Sequence, residues 1–195
     1  MTDLLVEVEE FLRATTPQGS WRTTAYLPDG VVQLSRQPLL VCTADTLRRP
    51  RAVAQLEIAE VHATSAPAVL RENLGLNARG FDPKAPPATD EEAADFGRGL
   101  GTAVAFTARL AGEGAAAGMY LAPHANVTEL VGIATLEPLR GQGIGAALTA
   151  AIAAHAFGLG VTVAFLITDN PAAQRVYERV GFRVVGAVRE GTAPR

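Results

Sequence analysis

The sequence predicts a single α/β domain, and three observations support this class. The chain has 195 residues, which is enough for one domain with a substantial core but short for two. From about residue 51, the hydrophobic pattern runs strand, helices, strands, helix, strand, helix, strand. A glycine-rich stretch lies where one of these strands gives way to a helix, at residues 141–145. We therefore expect one sheet flanked by helices.

The composition excludes several classes of protein. Hydrophobic residues make up 48% of the chain, charged residues 19%, and the net charge is -3. There is no general basic field, so we expect no nucleic-acid partner. The single cysteine, Cys42, excludes an internal disulfide and a cysteine-rich zinc site, which favours a reducing compartment and predicts no metal.

The start of the chain does not have the pattern of a signal peptide, because Met1–Glu7 is acidic and amphipathic. No apolar run reaches the roughly 18 residues of a membrane span. The alanine- and glycine-rich stretch at 143–163 is interrupted by His155. We expect a cytoplasmic protein with no membrane partner.

The first fifty residues predict an extension that precedes the main domain at 51–195. Leu4, Leu5, Val8, Phe11 and Leu12 recur at helical spacing and predict a helix at 3–13. Two strands at 21–27 and 31–34 form a hairpin around Pro28-Asp29-Gly30, and a short strand follows at 39–43. This extension is compatible with a lid, a dimerisation arm of a homodimer, or the remnant of a duplicated domain.

The middle of the chain predicts a strand, two helices and a hairpin. The strand covers 53–61, and a helix starts at Ser65 and stops near Gly75. Thr89 or Asp90 caps the next helix, which has acidic residues in its first turn. Strands at 102–110 and 115–121 form a hairpin. The acidic helix start would suit a cationic amine, although such clusters are more often a solvated helix cap.

The last third of the chain alternates strands with helices. Strands are predicted at 127–136, 161–168 and 182–188, with helices at 143–157 and 171–179 between them. Asn170-Pro171 is a typical helix start, because asparagine caps the helix and proline occupies its first position. Tyr177 lies beside the buried stripe of this helix.

The loop before the first of these helices is suited to bind a phosphate. Gly141, Gly143 and Gly145 remove three side chains, so successive backbone N–H groups can approach an anion at the helix N-terminus. Arg140 adds a forked cationic donor that suits a pyrophosphate. A glycine-rich turn with a purely structural role remains an alternative at this point.

Two other nucleotide-binding motifs fit less well. A P-loop needs Gly-Lys-Ser/Thr, and no lysine follows this loop. The loop nearly satisfies the dinucleotide pattern Gly-x-Gly-x-x-Gly/Ala, but that fold needs an acidic residue about 20 positions later. Val161, Thr162 and Val163 stand there, and only about fifty residues remain. A dinucleotide oxidoreductase is therefore disfavoured.

The loop and the Asn-Pro-Tyr helix in this order resemble the acyl-CoA-binding half of the GNAT acyltransferase superfamily. The matching residues are Arg140-Gly141-Gln142-Gly143-Ile144-Gly145 and, one strand later, Asn170-Pro171 through Tyr177 to Gly181-Phe182. The resemblance implies a mixed, mostly antiparallel sheet that splays between its fourth and fifth core strands, with acetyl-CoA as co-substrate. One departure is local: the family often has proline followed by an acidic residue before the arginine, whereas this chain has Glu137-Pro138.

The resemblance also implies roles for single residues. Backbone groups of Ile133, Ala134 and Thr135 would bind the pantetheine arm, with the Ile133 N–H on the thioester carbonyl. Residues 140–145 (Arg140, Gly141, Gln142, Gly143, Ile144 and Gly145) would hold the pyrophosphate. Asn170 would approach pantetheine, and Tyr177 would donate a proton to the CoA thiolate.

The residue that would accept the proton of the attacking amine stays open between three candidates. Glu129 shares a strand face with Val131 and Ile133 by simple alternation, which points it toward the thioester. His124, in the preceding loop, and a chain of water molecules are the others. His62 and His155 are interpreted as structural, and Tyr120 either lines the acceptor site or belongs to the core.

The sequence thus predicts an acetyl-CoA-dependent N-acetyltransferase acting on the primary amine of a small molecule or peptide by direct attack. The alternative from another class is a non-catalytic module that binds or senses acyl-CoA. Such a module would keep the glycine loop without needing Tyr177 or Glu129.

Overall fold

The computed structural model describes residues 2–16, 20–25 and 37–192. Within these ranges lie five α-helices: α1 (Thr2–Thr15), α2 (Pro67–Phe81), α3 (Asp90–Leu100), α4 (Ile144–Gly158) and α5 (Pro171–Val180). The same ranges contain eight strands: β1 (Ser20–Ala25), β2 (Gln37–Cys42), β3 (Leu56–Val61), β4 (Val104–Leu110), β5 (Glu113–Tyr120), β6 (Val127–Thr135), β7 (Val163–Ile167) and β8 (Arg183–Thr192). The predicted α/β class is confirmed.

The described strands form one sheet in the order β1-β8-β2-β7-β6-β5-β4-β3. Every neighbouring pair is antiparallel except β6 and β7, which are parallel. The β6–β7 ladder covers only Val127–Glu129 against Val163–Phe165. Beyond that point β6 continues to Thr135, paired with β5 alone. The mixed sheet with a splay between these two strands is therefore found as expected.

The strands of the N-terminal segment belong to this same sheet. β2 lies between β7 and β8, and β1 pairs with the outer side of β8. The predicted boundary at residue 50 falls between β2 and β3, and this division of the chain stays a prediction. The hairpin turn at 28–30 and the strand at 31–34 lie outside the described residues.

Residues of β2 are buried on both faces, as in a central strand. Leu40 and Cys42 join the large hydrophobic core that packs around α4, whereas Leu39 and Val41 join a second core around α1. All four are at most 3% exposed. The alternation of side chains along the strand thus ties two cores together.

The second helix is longer than its sequence predicts. The prediction that it stops near Gly75 was wrong, because α2 runs on to Phe81. Gly75, Leu76 and Gly80 are buried inside it, and Gly80 packs so closely on β6 that an added Cβ would lie 2.6 Å from the Ala134 Cβ. Tertiary packing of this face outweighs the low helix propensity of glycine.

The third helix begins as its sequence predicts. The Thr89 side chain accepts a hydrogen bond from the Glu92 N–H, and the Glu92 carboxylate accepts from the Thr89 N–H, forming a capping box. The Thr89 N–H and hydroxyl both donate to the Glu92 carboxylate, and these two hydrogen bonds lower the pKa of Glu92. Glu92 at this helix start thus has a structural role.

Candidate active site

A wedge-shaped opening lies where β6 and β7 separate. Their last paired residues are Glu129 and Phe165. A bulge then displaces β6: its register against β5 shifts between Ala117 and Met119, where one residue of β5 faces two of β6. Gly132, at the bulge, has a φ of +62°, a backbone conformation that favours glycine.

Helix α2 supports this bulge. The Asn77 Nδ2 donates a hydrogen bond to the Gly132 carbonyl oxygen, and an added Cβ at Gly132 would lie 2.8 Å from that same nitrogen. On the other face, a Cβ at Gly118 would lie 3.0 Å from both Ile133 Cγ1 and Ile152 Cδ1. The bulge is therefore fixed from both sides of the sheet.

The bulge determines where the predicted backbone donors point. The Leu136 N–H donates to the Ala115 carbonyl, so Leu136 and, by alternation, Ala134 turn their polar backbone groups toward β5. Ile133 and Thr135 turn theirs toward the opening between β6 and β7. The Thr135 carbonyl accepts from Arg140 Nε at 3.2 Å, while Ala134 packs its side chain on α2.

The glycine loop forms the start of α4. Gly141 and Gly143 have φ values of +80° and +86°, and Gly143 is the N-cap of the helix with no side-chain cap hydrogen bond. The loop from Arg140 to Gly143 is exposed. Ile144 is 1% exposed, so only its backbone can serve a ligand. The first N–H groups of α4 thus have no capping side chain and face outward, as an anion site requires.

The strand end, loop and helix start lie side by side. An added Cβ on Gly145 would lie 3.3 Å from the Thr135 Oγ1. Arg140 Nη2 donates to the Gly80 carbonyl at the end of α2, at 2.8 Å. Arg140 therefore connects α2, β6 and the loop, a role that the sequence did not reveal, and its side chain is exposed enough to face a ligand.

Helix α5 starts on the other side of the opening, after β7. Asn170 caps it, and the Asn170 Oδ1 accepts from the Ala172 N–H at 2.9 Å and the Ala173 N–H at 3.3 Å. Because these bonds occupy Oδ1, the Nδ2 group is the part of Asn170 that can approach a ligand.

Tyr177 lies in the core formed around α4 and is 9% exposed. Its ring centroid is 6.3 Å from that of Phe182. Burial raises the pKa of Tyr177 to about 12. At neutral pH this phenol is therefore neutral and can donate a hydrogen bond to a developing anion.

Glu129 lies at the closed end of the opening, but its surroundings differ from the prediction. The argument that Glu129 shares a face with Ile133 was wrong, because the bulge at Gly132 interrupts the alternation. The Ile133 side chain faces α4. Glu129 lies on the opposite face of β6, the same face as Val127, which packs with Phe165 around α1. Glu129 is 4% exposed, and both its oxygens accept hydrogen bonds from Arg22.

The other candidate side chains lie elsewhere. His124 is exposed in the turn before β6, where its backbone pairs with Val127. Tyr120 is 1% exposed and belongs to the core, and its hydroxyl lies 3.2 Å from His155 Nδ1. His155 Nε2 lies 3.3 Å from Glu60. Tyr120 and His155 thus connect β5, α4 and β3.

Within the described ranges, no group of three His, Cys, Asp or Glu residues is arranged to hold a metal ion. None of the helices described there is long and apolar enough to cross a bilayer.

The sequence matches a known family. The model of the acetyltransferase (GNAT) family matches residues 75–182, which run from the middle of α2 to just past the end of α5 and include the bulge and the glycine loop. This is 108 of the 195 residues. The chain belongs to the GNAT acetyltransferase family. No curated protein matches the sequence significantly.

Solved structures agree with this assignment. The chain is similar to a GCN5-related N-acetyltransferase from Kribbella flavida, with 25% identity, a TM-score of 0.66, and coverage of 96% of this chain and 73% of the other. A tandem GNAT protein from the clavulanic acid biosynthesis pathway shares the fold at 13% identity, a TM-score of 0.61, and coverage of 90% and 65%. The chain thus spans about two thirds of that tandem protein.

A third similar structure is an aminoglycoside acetyltransferase from an uncultured soil metagenomic sample, solved in complex with sisomicin. Its identity is 16%, its TM-score 0.53, and the coverage is 64% of this chain and 87% of the other. At this identity the similarity shows the fold alone.

Sequence reasoning missed two residues of the site. Asn77 was placed beyond the end of its helix, so its position beneath the bulge could not be inferred. Arg22 lies 107 residues from Glu129 in the sequence, and no local pattern connects them.

Proposed function

We propose that the protein is an acetyl-CoA-dependent N-acetyltransferase that moves the acetyl group to a primary amine by direct attack. The observation that carries this proposal is the opening between β6 and β7, with backbone groups of Ile133 and Thr135 facing it and the uncapped start of α4 beside it. A flexible, amide-bearing arm attached to a pyrophosphate fits this combination.

In this proposal the residues divide between binding and chemistry. Backbone N–H groups of the loop at 140–145, with the Arg140 guanidinium, bind the pyrophosphate. Backbone groups of Ile133 and Thr135 border the pantetheine arm, and Asn170 Nδ2 approaches it from the side of α5. The predicted contact of Ala134 with this arm is not retained, because its backbone groups turn toward β5.

The acetyl transfer itself breaks one bond and forms another. The amine nitrogen attacks the thioester carbon, the carbonyl oxygen gains negative charge, and the Ile133 N–H stabilises that charge. The C–S bond then breaks, and the thiolate receives a proton from the Tyr177 hydroxyl. The proton released by the amine passes to Glu129 or to water, and solvent restores both side chains.

The experiment that tests this proposal is calorimetric titration with acetyl-CoA, using Gly141→Asp and Gly141→Asn as a matched pair. An added Cβ at Gly141 meets no atom within 4 Å, and both residues tolerate positive φ better than most others. We expect Asp to weaken binding at least about tenfold more than Asn, because only Asp adds charge beside the pyrophosphate. Equal binding by the two variants would contradict this location.

Two further variants extend the test. Gly143→Asp adds a charge at the helix cap, and Arg140→Ala removes the guanidinium that bonds Gly80 and Thr135. Both should lower affinity for acetyl-CoA. No binding by the unmodified protein would exclude the proposed function.

The alternative is a non-catalytic acyl-CoA-binding module, and one observation favours it: Arg22 occupies both oxygens of Glu129. An assay of CoA release distinguishes the two functions. It uses acetyl-CoA with a panel of amines that includes aminoglycosides, polyamines and peptide N-termini. Turnover that depends on Tyr177 supports the enzyme, and binding without turnover supports the module.

A further inference from the structure

The ion pair between Arg22 and Glu129 joins the N-terminal strand to the closed end of the opening. Arg22 Nη1 donates to Glu129 Oε2 and Nη2 to Oε1, each at 2.8 Å. The side chains are 21% and 6% exposed. The two parallel bonds fix the plane of the carboxylate as well as its position.

The geometry of the sheet makes this contact informative. β1 is four strands away from β6 in the sheet order. Four spacings in a flat sheet amount to about 19 Å, farther than an arginine side chain reaches. This half of the sheet must therefore curl around α1, which brings Arg22 over the α1 face of β6.

The ion pair also lies where acetyl transfer would take place. Glu129 is in the last rung before β6 and β7 separate, and the bulge at Gly132 lies three residues further along β6. Each carboxylate oxygen retains a second lone pair beyond the one that Arg22 uses. An amine that enters the opening therefore finds an oriented anion at its closed end.

Stability alone is a weak reason for such a pair. Taking both charges out of water opposes their attraction, and an apolar pair of similar size is often as stable. Removal of one partner, in contrast, leaves a buried charge whose direction is no longer fixed. The specific effect of Arg22 is therefore on the direction of the Glu129 carboxylate.

We propose that Arg22 is a positioning residue for the acceptor end of the active site, which makes the N-terminal strand β1 part of that site. Arg22 keeps the Glu129 carboxylate directed toward the entering amine. This inference rests on the proposed acetyltransferase function and assigns part of the N-terminal segment a role in it.

The test compares acetyl-CoA binding with turnover in Arg22→Met, Arg22→Lys, Glu129→Gln and the double variant Arg22→Met/Glu129→Gln. We expect Arg22→Met to lower kcat at least about tenfold while the Kd of acetyl-CoA changes less than about threefold, since displaced catalytic groups affect the reaction more than remote binding. Arg22→Lys should restore part of kcat. The double variant should be no slower than Glu129→Gln, because Arg22 acts through Glu129.

A charge exchange, Arg22→Glu with Glu129→Arg, tests whether an ion pair at this place is enough to support the fold. It retains an ion pair, so we expect thermal stability close to that of the unmodified protein with kcat still low. The proposal would be overturned if the exchanged pair had both the thermal stability and the kcat of the unmodified protein. It would also be overturned if Arg22→Met had an unchanged kcat, or if this variant lost acetyl-CoA binding as much as turnover. If Arg22→Met does not fold, the kcat of Arg22→Lys and its Kd for acetyl-CoA still decide.

Failure of the proposed function gives a different result. A protein that does not bind acetyl-CoA excludes the acetyltransferase and this role of Arg22 together. A protein that binds acetyl-CoA but transfers to no amine retains the binding site and overturns the role of Arg22.

Discussion

Asn77 of α2 donates its side-chain amide to the carbonyl oxygen of Gly132, so a helix on one face of the sheet holds the bulge that turns Ile133 toward the opening. Asn73, one turn earlier on the same helix, donates to the Phe106 carbonyl and the Thr107 hydroxyl. The two asparagines make similar hydrogen bonds, but only that of Asn77 reaches β6, the strand that carries the proposed oxyanion donor Ile133. They therefore provide a matched comparison.

We expect Asn77→Ala to lower kcat by about tenfold or more, because the bulge loses its anchor and the Ile133 N–H is no longer fixed. The Kd of acetyl-CoA should change much less. Turnover of saturated enzyme and calorimetry measure the two quantities.

The matched control is Asn73→Ala. This change removes a donor that is 3% exposed and should cost about 1–3 kcal/mol of stability, with kcat of the folded fraction retained. Equal effects of the two substitutions on kcat would contradict a specific role for Asn77.

Tyr177→Phe should lower kcat by about 10- to 100-fold at every pH from 6 to 10. Burial raises the pKa of Tyr177 to about 12, so the phenol keeps its proton throughout this range and loses it only as pH approaches that value. The ratio of unmodified to variant kcat should therefore be constant across the range.

The control is Tyr120→Phe, since Tyr120 is also buried and burial also raises its pKa. Its hydroxyl lies beside His155 and has no role in the proposed reaction, so kcat should stay within about twofold. If the ratio of unmodified to Tyr177→Phe kcat fell steadily above pH 8, Tyr177 would not act as a neutral proton donor.

A chain that starts at Arg51 should not fold on its own. It lacks β2, whose Leu39–Cys42 segment fills the space between β7 and β8 and contributes to both cores. Circular dichroism and amide exchange measure the loss of structure. If an added peptide covering residues 37–42 restored the folded structure, the loss of β2 would be confirmed as the cause. A shortened chain that is folded and active without the peptide would exclude this explanation.

Gly181→Ala should destabilise the protein by at least about 2 kcal/mol. Gly181 has a φ of +109°, and an added Cβ would lie 2.0 Å from the Thr46 carbonyl oxygen. Gly99→Ala is the contrasting change, because no atom lies within 4 Å of its added Cβ and it lies in α3. It should stabilise by about 0.5–1 kcal/mol, as urea unfolding would show.

Local signals made most of the second half of the fold predictable. The limits of α4 and α5 follow from the glycine loop, the Asn170 cap and Gly181, and the capping box at Thr89 gives the start of α3. Each of these signals acts within a few residues, so a single sequence contains it.

Features that depend on distant packing could not be predicted. α2 continues through Gly75 because the helix packs against β5 and β6, with Gly80 on Ala134, and this packing is not visible in the helix sequence alone. The bulge at Gly132 reverses the facing of residues beyond it, so simple alternation fails between Glu129 and Ile133. The place of β2 between β7 and β8 depends on pairing across more than 120 residues.

The position of β2 also bears on how the protein folds during synthesis. β2 leaves the ribosome first, and its two neighbours, β7 and β8, follow only more than 120 residues later. Until then its apolar side chains have no permanent partners, and pairing between such distant segments is slow. We expect the sheet of the nascent chain to stay incomplete until β7 and β8 have left the ribosome, with a strong dependence on chaperones that shield apolar strands.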